Sequence, residues 1–134
     1  MPVKQSLIIR VKYPDGKGGL TGVRAGKLIA QGSHGACSFL CEHLKRPWWK
    51  FWHRLSTPEL LWLNGSFKKV CLQVNSEDQL LDIYNKAKSI GLKAYLIQDS
   101  GLTEFSGIKT YTCVSIGPDY SEKIDSVTKD LKLY

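Results

Sequence analysis

The stretch Arg24-Ala-Gly-Lys-Leu-Ile-Ala-Gln-Gly-Ser-His-Gly-Ala-Cys-Ser-Phe-Leu-Cys-Glu-His43 reads as one long amphipathic helix, and the rest of the chain is organised around it. With Lys27 at zero on a wheel of about 100° per residue, Gln31, His34 and Ser38 fall within about 40° of it and make one polar ridge. Leu28, Ile29, Ala36, Phe39 and Leu40 lie roughly 100° to 220° round. The expectation is therefore that this apolar side enters a core while the Lys-Gln-His ridge stays outside. Gly32 and Gly35 sit near the apolar side, where they cost helix propensity but permit close approach to a sheet. An ordinary solvated face is the default reading of such a ridge; a working face is the alternative.

Working outward, Ser6–Lys12 is a β-branched run of strand length, closed by the turn chemistry of Tyr13-Pro-Asp-Gly16. The Gly-rich, basic Lys17–Val23 is expected to be irregular and to lead into the helix N-terminus, a junction whose backbone N–H groups and dipole suit a phosphate. It lacks the spacing of a Walker loop. Beyond the helix, Phe67–Asn75 alternates as a half-buried strand. Ser76 caps a helix with an acidic first turn that runs to Ile90 and stops at Gly91. Lys93–Gln98 and Thr110–Ile116 read as further strands, and Gly117-Pro-Asp119 as the start of a last helix. Strands alternating with helices, with no repeat or low-complexity segment, give the α/β class: a single domain over 1–134, with a mixed, mostly parallel four-stranded sheet and helices on both faces.

Residues 44–66 stand apart as a Trp-rich helical insertion. Trp48, Trp49 and Trp52, three of the four tryptophans, fall within five residues and are interleaved with Lys45, Arg46, Lys50 and Arg54. Thr57 before Pro58 and Glu59 reads as an N-cap, with Asn64-Gly65 as the stop. Packing over the sheet or a partner subunit, a stacking platform for a single-stranded nucleic-acid end, and a membrane-surface segment all remain open for the tryptophans.

Composition narrows the classes further. No stretch approaches the roughly 20 apolar residues of a membrane span, and the start carries no signal-peptide pattern, so an intracellular, cytoplasmic protein is expected. Cys37, Cys41, Cys71 and Cys113 show no CxxC pairing and are expected to act as small buried hydrophobes. With no fourth ligand near His34, Cys37 and Cys41, neither metal nor other cofactor is called for. A formal net charge of +7 favours a polyanionic partner.

Four stretches, taken together, resemble the archaeal and eukaryotic, type 2 family of peptidyl-tRNA hydrolases. Gly26-Lys-Leu-Ile-Ala-Gln-Gly-Ser-His34 matches the family's G-K-x-x-A-Q-x-S-H, and Gln98-Asp-Ser-Gly-Leu-Thr103 matches Q-D-A-G-x-T. Ile116-Gly-Pro118 followed by Ile124–Thr128, and Leu131-Lys-Leu-Tyr134, match its closing block. Order and spacing agree over nearly the whole chain except residues 42–66. Where the family reads K-G-K this chain has Ala25-Gly26-Lys27, with Arg24 adjacent; Ser100 and Ser115 replace the usual alanine and glycine. The resemblance implies hydrolysis of the ester joining a peptide, or an N-blocked amino acid, to the terminal ribose of tRNA. It also implies a homodimer as a possible state, and no DNA partner. His34 or Asp99 then serves as base, Thr103 places the water, and Lys27 stabilises charge or holds the terminal phosphate. Gln31, Arg24, Trp49, Trp52 and Lys132 are the substrate-binding candidates. The rival reading is a non-catalytic module on the same fold that binds tRNA, other RNA or a protein.

Overall fold

The computed structural model describes residues 1–50, 54–101, 105 and 107–134. Its main sheet has strands β1 (Val3–Arg10), β4 (Lys69–Val74), β5 (Ala94–Asp99), β6 (Thr110–Tyr120) and β7 (Lys132–Leu133), in the spatial order β5-β6-β1-β4-β7. Helices α1 (Ala25–Leu44), α2 (Thr57–Asn64), α3 (Glu77–Ser89) and α4 (Ser121–Thr128) cover it, with a 3₁₀ turn at Trp48–Lys50. A small hairpin of β2 (Tyr13–Pro14) and β3 (Leu20–Thr21) forms inside the Gly-rich stretch that was expected to be irregular, its turn tied by Asp15 accepting from the backbone N–H groups of Lys17 and Gly19.

The expected sheet, four-stranded and mostly parallel, is corrected to five strands with one parallel pair. Among neighbouring strands only β1 and β4 run parallel; β1–β6, β5–β6 and β4–β7 are antiparallel. The reason lies in the connections. Helix-containing crossovers do set β1, β4 and β5 in one direction, but the link from β5 to β6 contains no helix among the described residues, and β6 returns antiparallel between β5 and β1. Strand β7, two residues long, is too short to show any alternation. The helix expected to start at Gly117-Pro-Asp119 is also corrected: β6 continues to Tyr120 and α4 begins at Ser121. Pro118 is tolerated in this inner strand because Gly117 and Pro118 fall where the β1–β6 register shifts between Lys4 and Ser6, a bulge with no regular ladder bond for proline to lose.

Alternation along β1 separates two cores. Ile8 joins Leu72, Val114, Ile116, Leu80, Ile83 and Ile124 under α3 and α4; Leu7 and Ile9 join Ile97 and Cys113 under α1. Gly35 lets α1 approach closely: a Cβ there would lie 2.8 Å from the Cys113 sulfur. Helix α2 packs on the same side as α1, with Trp62 fully buried edge-on to Phe39 and its indole N–H donating to the Lys68 carbonyl at 2.8 Å. The α2 cap is Ser56, one residue before the expected Thr57, in a capping box with Glu59. Of the four cysteines, all free, only Cys113 is buried, and burial pushes its thiol up to about 12; the others are exposed, against expectation.

Candidate active site

The polar ridge of α1 does not stay outside along its length. Gln31, Gly35 and Phe39 form the buried line of the helix, whereas Ile29, expected inside, is 68% exposed. The buried side is rotated toward the ridge because Asp99, at the carboxyl end of β5, and Phe105 lie against Lys27, and Asp99 and Thr112 against Gln31. There Asp99 accepts from Lys27 Nζ at 2.6 Å and from Gln31 Nε2 at 2.7 Å, both through Oδ2. Its Oδ1 accepts from the backbone N–H of Gly101 at 2.7 Å. The Lys27 and Asp99 side chains retain only 12% and 11% of their exposure.

Each partner is itself positioned. Gln31 Oε1 accepts from the buried Thr112 hydroxyl at 2.7 Å, which turns the amide so that its nitrogen faces Asp99. Gly101 has φ +79°, and a Cβ there would lie 2.1 Å from the Ile108 carbonyl oxygen; only glycine fits where the loop turns back on itself. Lys27 Nζ sits 5.6 Å from the Phe105 ring centroid, and Phe105 packs on Tyr13 at 4.7 Å. Tyr13 in turn donates to the Arg10 carbonyl, and burial raises its hydroxyl pKa to about 12. Burial alone would raise the Asp99 pKa as well. Hydrogen bonds from Lys27, Gly101 and Gln31, with the Lys27 charge, outweigh that and hold it below the ordinary carboxylate range. These bonds hold the Asp99 carboxylate in its anionic form and fix its orientation.

Of the sequence candidates, Lys27, Gln31 and Asp99 are brought together. His34 is exposed on the same ridge, about 4.5 Å further along the axis than Gln31, at the head of a groove of about 580 Å³ lined by His34, Ser38, Cys41, Glu42, Lys45, Arg46 and Pro47. Arg24 is the N-cap of α1, its carbonyl accepting from the backbone N–H of Lys27 at 3.0 Å. Trp49 lies on the 3₁₀ turn beside Trp48. Lys132, on edge strand β7, stands four strand positions from β5, about 19 Å across the sheet. Thr103 and Trp52 lie outside the described residues. Sequence reasoning missed Thr112, Gly101 and Phe105; the Q-D-S-G motif carried a signal for Gly101 alone.

A family model described as "Peptidyl-tRNA hydrolase PTH2" matches residues 3–134. The chain belongs to this family. It is 43% identical over 113 residues to the peptidyl-tRNA hydrolase of Methanocaldococcus jannaschii, covering 84% of this chain and 90% of that protein. It is 37% identical over 134 residues to the peptidyl-tRNA hydrolase of Sulfolobus acidocaldarius, covering 98% and 99%. A probable peptidyl-tRNA hydrolase 2 of Dictyostelium discoideum is 36% identical over 134 residues, which cover 98% of this chain but 54% of that longer protein. The match runs through the Trp-rich stretch as well.

Proposed function

We propose that this chain cleaves the ester between a peptide, or an N-blocked amino acid, and the terminal ribose of tRNA, releasing free tRNA. Family membership supports the reaction, and the observation that carries the site is the convergence of Lys27 and Gln31 on the Asp99 carboxylate. An ester hydrolase needs an attacking water, a group that takes its proton and a positive field for the oxyanion. Lys27, fixed by Asp99, supplies the field. His34 is the preferred base: it is exposed on the same ridge, whereas both Asp99 oxygens are engaged and its proton affinity is depressed. Water attacks the carbonyl carbon as His34 takes its proton. The bond to the ribose oxygen then breaks, and the proton passes to that oxygen. In this reading Thr103 orients the water and Arg24 contacts phosphate.

The same cluster weighs against a non-catalytic binding module, for which a depressed, triply hydrogen-bonded carboxylate beside a half-buried lysine has no evident use. A homodimer and a cytoplasmic location belong to the same proposal. Among the described residues no helix is long and apolar enough to cross a membrane. The open groove lined by Leu7, Leu28, Ile29, Cys71 and Tyr134 is the face a second copy would cover. Sedimentation of Ile29→Glu beside the wild type tests the dimer. Incubating the protein with N-acetylaminoacyl-tRNA and, separately, with free aminoacyl-tRNA tests the activity: the first is expected to be cleaved and the second spared. His34→Ala is expected to cost about 10²- to 10⁴-fold in turnover. Near-wild-type turnover in that variant would remove His34 as the base.

A further inference from the structure

We propose that Trp48 and Trp49 form a stacking platform for the unpaired 3′ end of tRNA, at the far end of a groove that starts at His34. The inference rests on the reading of the chain as a peptidyl-tRNA hydrolase and adds how the strand carrying the ester is held. The four tryptophans divide sharply. Trp62 is fully buried against Phe39 and Phe67, while Trp48 is 84% and Trp49 53% exposed. The buried one has its indole N–H satisfied, as an indole in a core requires. The exposed two pack only edge to face on each other among the described residues, with centroids 6.0 Å apart and planes at 84°. That geometry leaves a flat ring face of Trp48 open to solvent, the surface on which any base can stack.

Position supplies the second argument. The groove whose lining begins with His34 and Ser38 ends at Lys45, Arg46 and Pro47, and Pro47 immediately precedes the tryptophan pair. From His34 to Lys45 the helix rises about 16 Å, a span of a few nucleotides. A strand whose terminal ribose lies at His34 thus reaches the rings with the bases just before the terminal one.

Charge supplies the third. In the chain Lys45, Arg46, Lys50 and Arg54 flank the rings, and among the described residues Glu42 is the one carboxylate lining the groove. Arg46 is held in place: its Nε donates to the His43 carbonyl at 3.3 Å, and its Nη2 lies 2.8 Å from His43 Nε2. Burial and the neighbouring guanidinium both lower the His43 pKa, which leaves the ring neutral to accept that contact. Flat rings bordered by cations fit an unpaired polyanionic strand better than an apolar partner, which gains nothing from four cations.

The test compares Trp48→Ala, Trp49→Ala and the pair Trp48→Phe and Trp49→Phe on two substrates: N-acetylaminoacyl-tRNA, and the N-acetylaminoacyl ester of adenosine, which keeps the ester and terminal nucleoside but not the preceding bases. The alanine variants are expected to raise KM for the tRNA substrate about 5- to 100-fold, the scale of a lost base stack. Their rates on the adenosine ester should not change, and the phenylalanine variants should keep most of the tRNA affinity. Binding of a short RNA ending in CCA, followed by tryptophan fluorescence, gives a readout independent of turnover. Equal effects on both substrates, unchanged tRNA affinity, or a dimer that dissociates in the alanine variants while KM holds would each overturn the platform. A wild type that binds the RNA through these rings yet cleaves neither substrate would sink the hydrolase reading and leave the platform standing.

Discussion

Asp99 illustrates how hydrogen bonding decides what a carboxylate does. Its three donors make it an anchor, so Asp99→Asn should disturb more than charge: the amide nitrogen must face either the Lys27 and Gln31 donors or the Gly101 N–H. Turnover is expected to fall about 100-fold or more, on the scale of losing one preorganised electrostatic element. The pH dependence follows from the sign of the shift. With its folded pKa depressed, Asp99 adds stability that is fully present above the unfolded value near 3.9 and is lost as pH falls through the folded value. Chemical denaturation of wild type and Asp99→Asn should therefore differ most at neutral pH and converge below about pH 4. Thr112→Val removes the donor that orients Gln31 while keeping shape, and leaves Gln31 Oε1 buried without it. A cost of about 1–3 kcal/mol in stability is expected, with several-fold slower turnover at little change in KM. Lys27, Gln31 and Asp99 were legible in the sequence because helical phase and a strand-end motif are local signals. Thr112 was not, since its role depends on which strand lies beside β5.

That dependence on strand order recurs at the level of elements. Helix phase, caps and stops marked α1, α2 and α3 to within a residue or so, and the directions of β1, β4 and β5 followed from their helical crossovers. Insertion of β6 between β5 and β1 is set by long-range pairing, which alternation within each strand does not encode. The α1–sheet contact, in contrast, was written in its glycines, and two of them separate packing from propensity. An alanine methyl at Gly35 would meet the Cys113 sulfur at 2.8 Å, and Cys113 is fully buried with little room to yield. Gly35→Ala should cost about 1–3 kcal/mol by overpacking, and Cys113→Ala in the same chain should recover part of it. Gly26, in the first turn of the same helix, has nothing within 4 Å of an added Cβ. Gly26→Ala should instead be neutral or stabilise by up to about 1 kcal/mol. Thermal unfolding of the three variants checks both signs, and destabilisation by Gly26→Ala would mean that α1 does not sit as described.

Across the whole molecule, charge is distributed unevenly about the sheet. From Arg24 to Arg54, the run that includes α1 and the tryptophan turn, six Lys and Arg stand against one acid, Glu42. On the opposite side, α3 and α4 together hold three lysines, Lys86, Lys88 and Lys123, against five acids, Glu77, Asp78, Asp82, Glu122 and Asp125. The net charge of +7 is thus concentrated where the groove and the Lys27–Asp99 cluster lie, and a tRNA steered by this field should arrive on the α1 side. Affinity should fall steeply with salt, because each phosphate that a cation neutralises releases condensed counterions. Lys45→Gln and Lys50→Gln should each flatten the slope of log affinity against log salt by about 0.7–0.9, the value of one phosphate contact. Lys88→Gln, on α3, removes the same formal charge from the acidic side and should leave the slope unchanged. Measuring tRNA affinity for the three variants from low to physiological salt separates a localised docking face from a general response to net charge. Equal flattening by all three would mean that the excess of cations acts diffusely and that the α1 side has no special claim on the substrate.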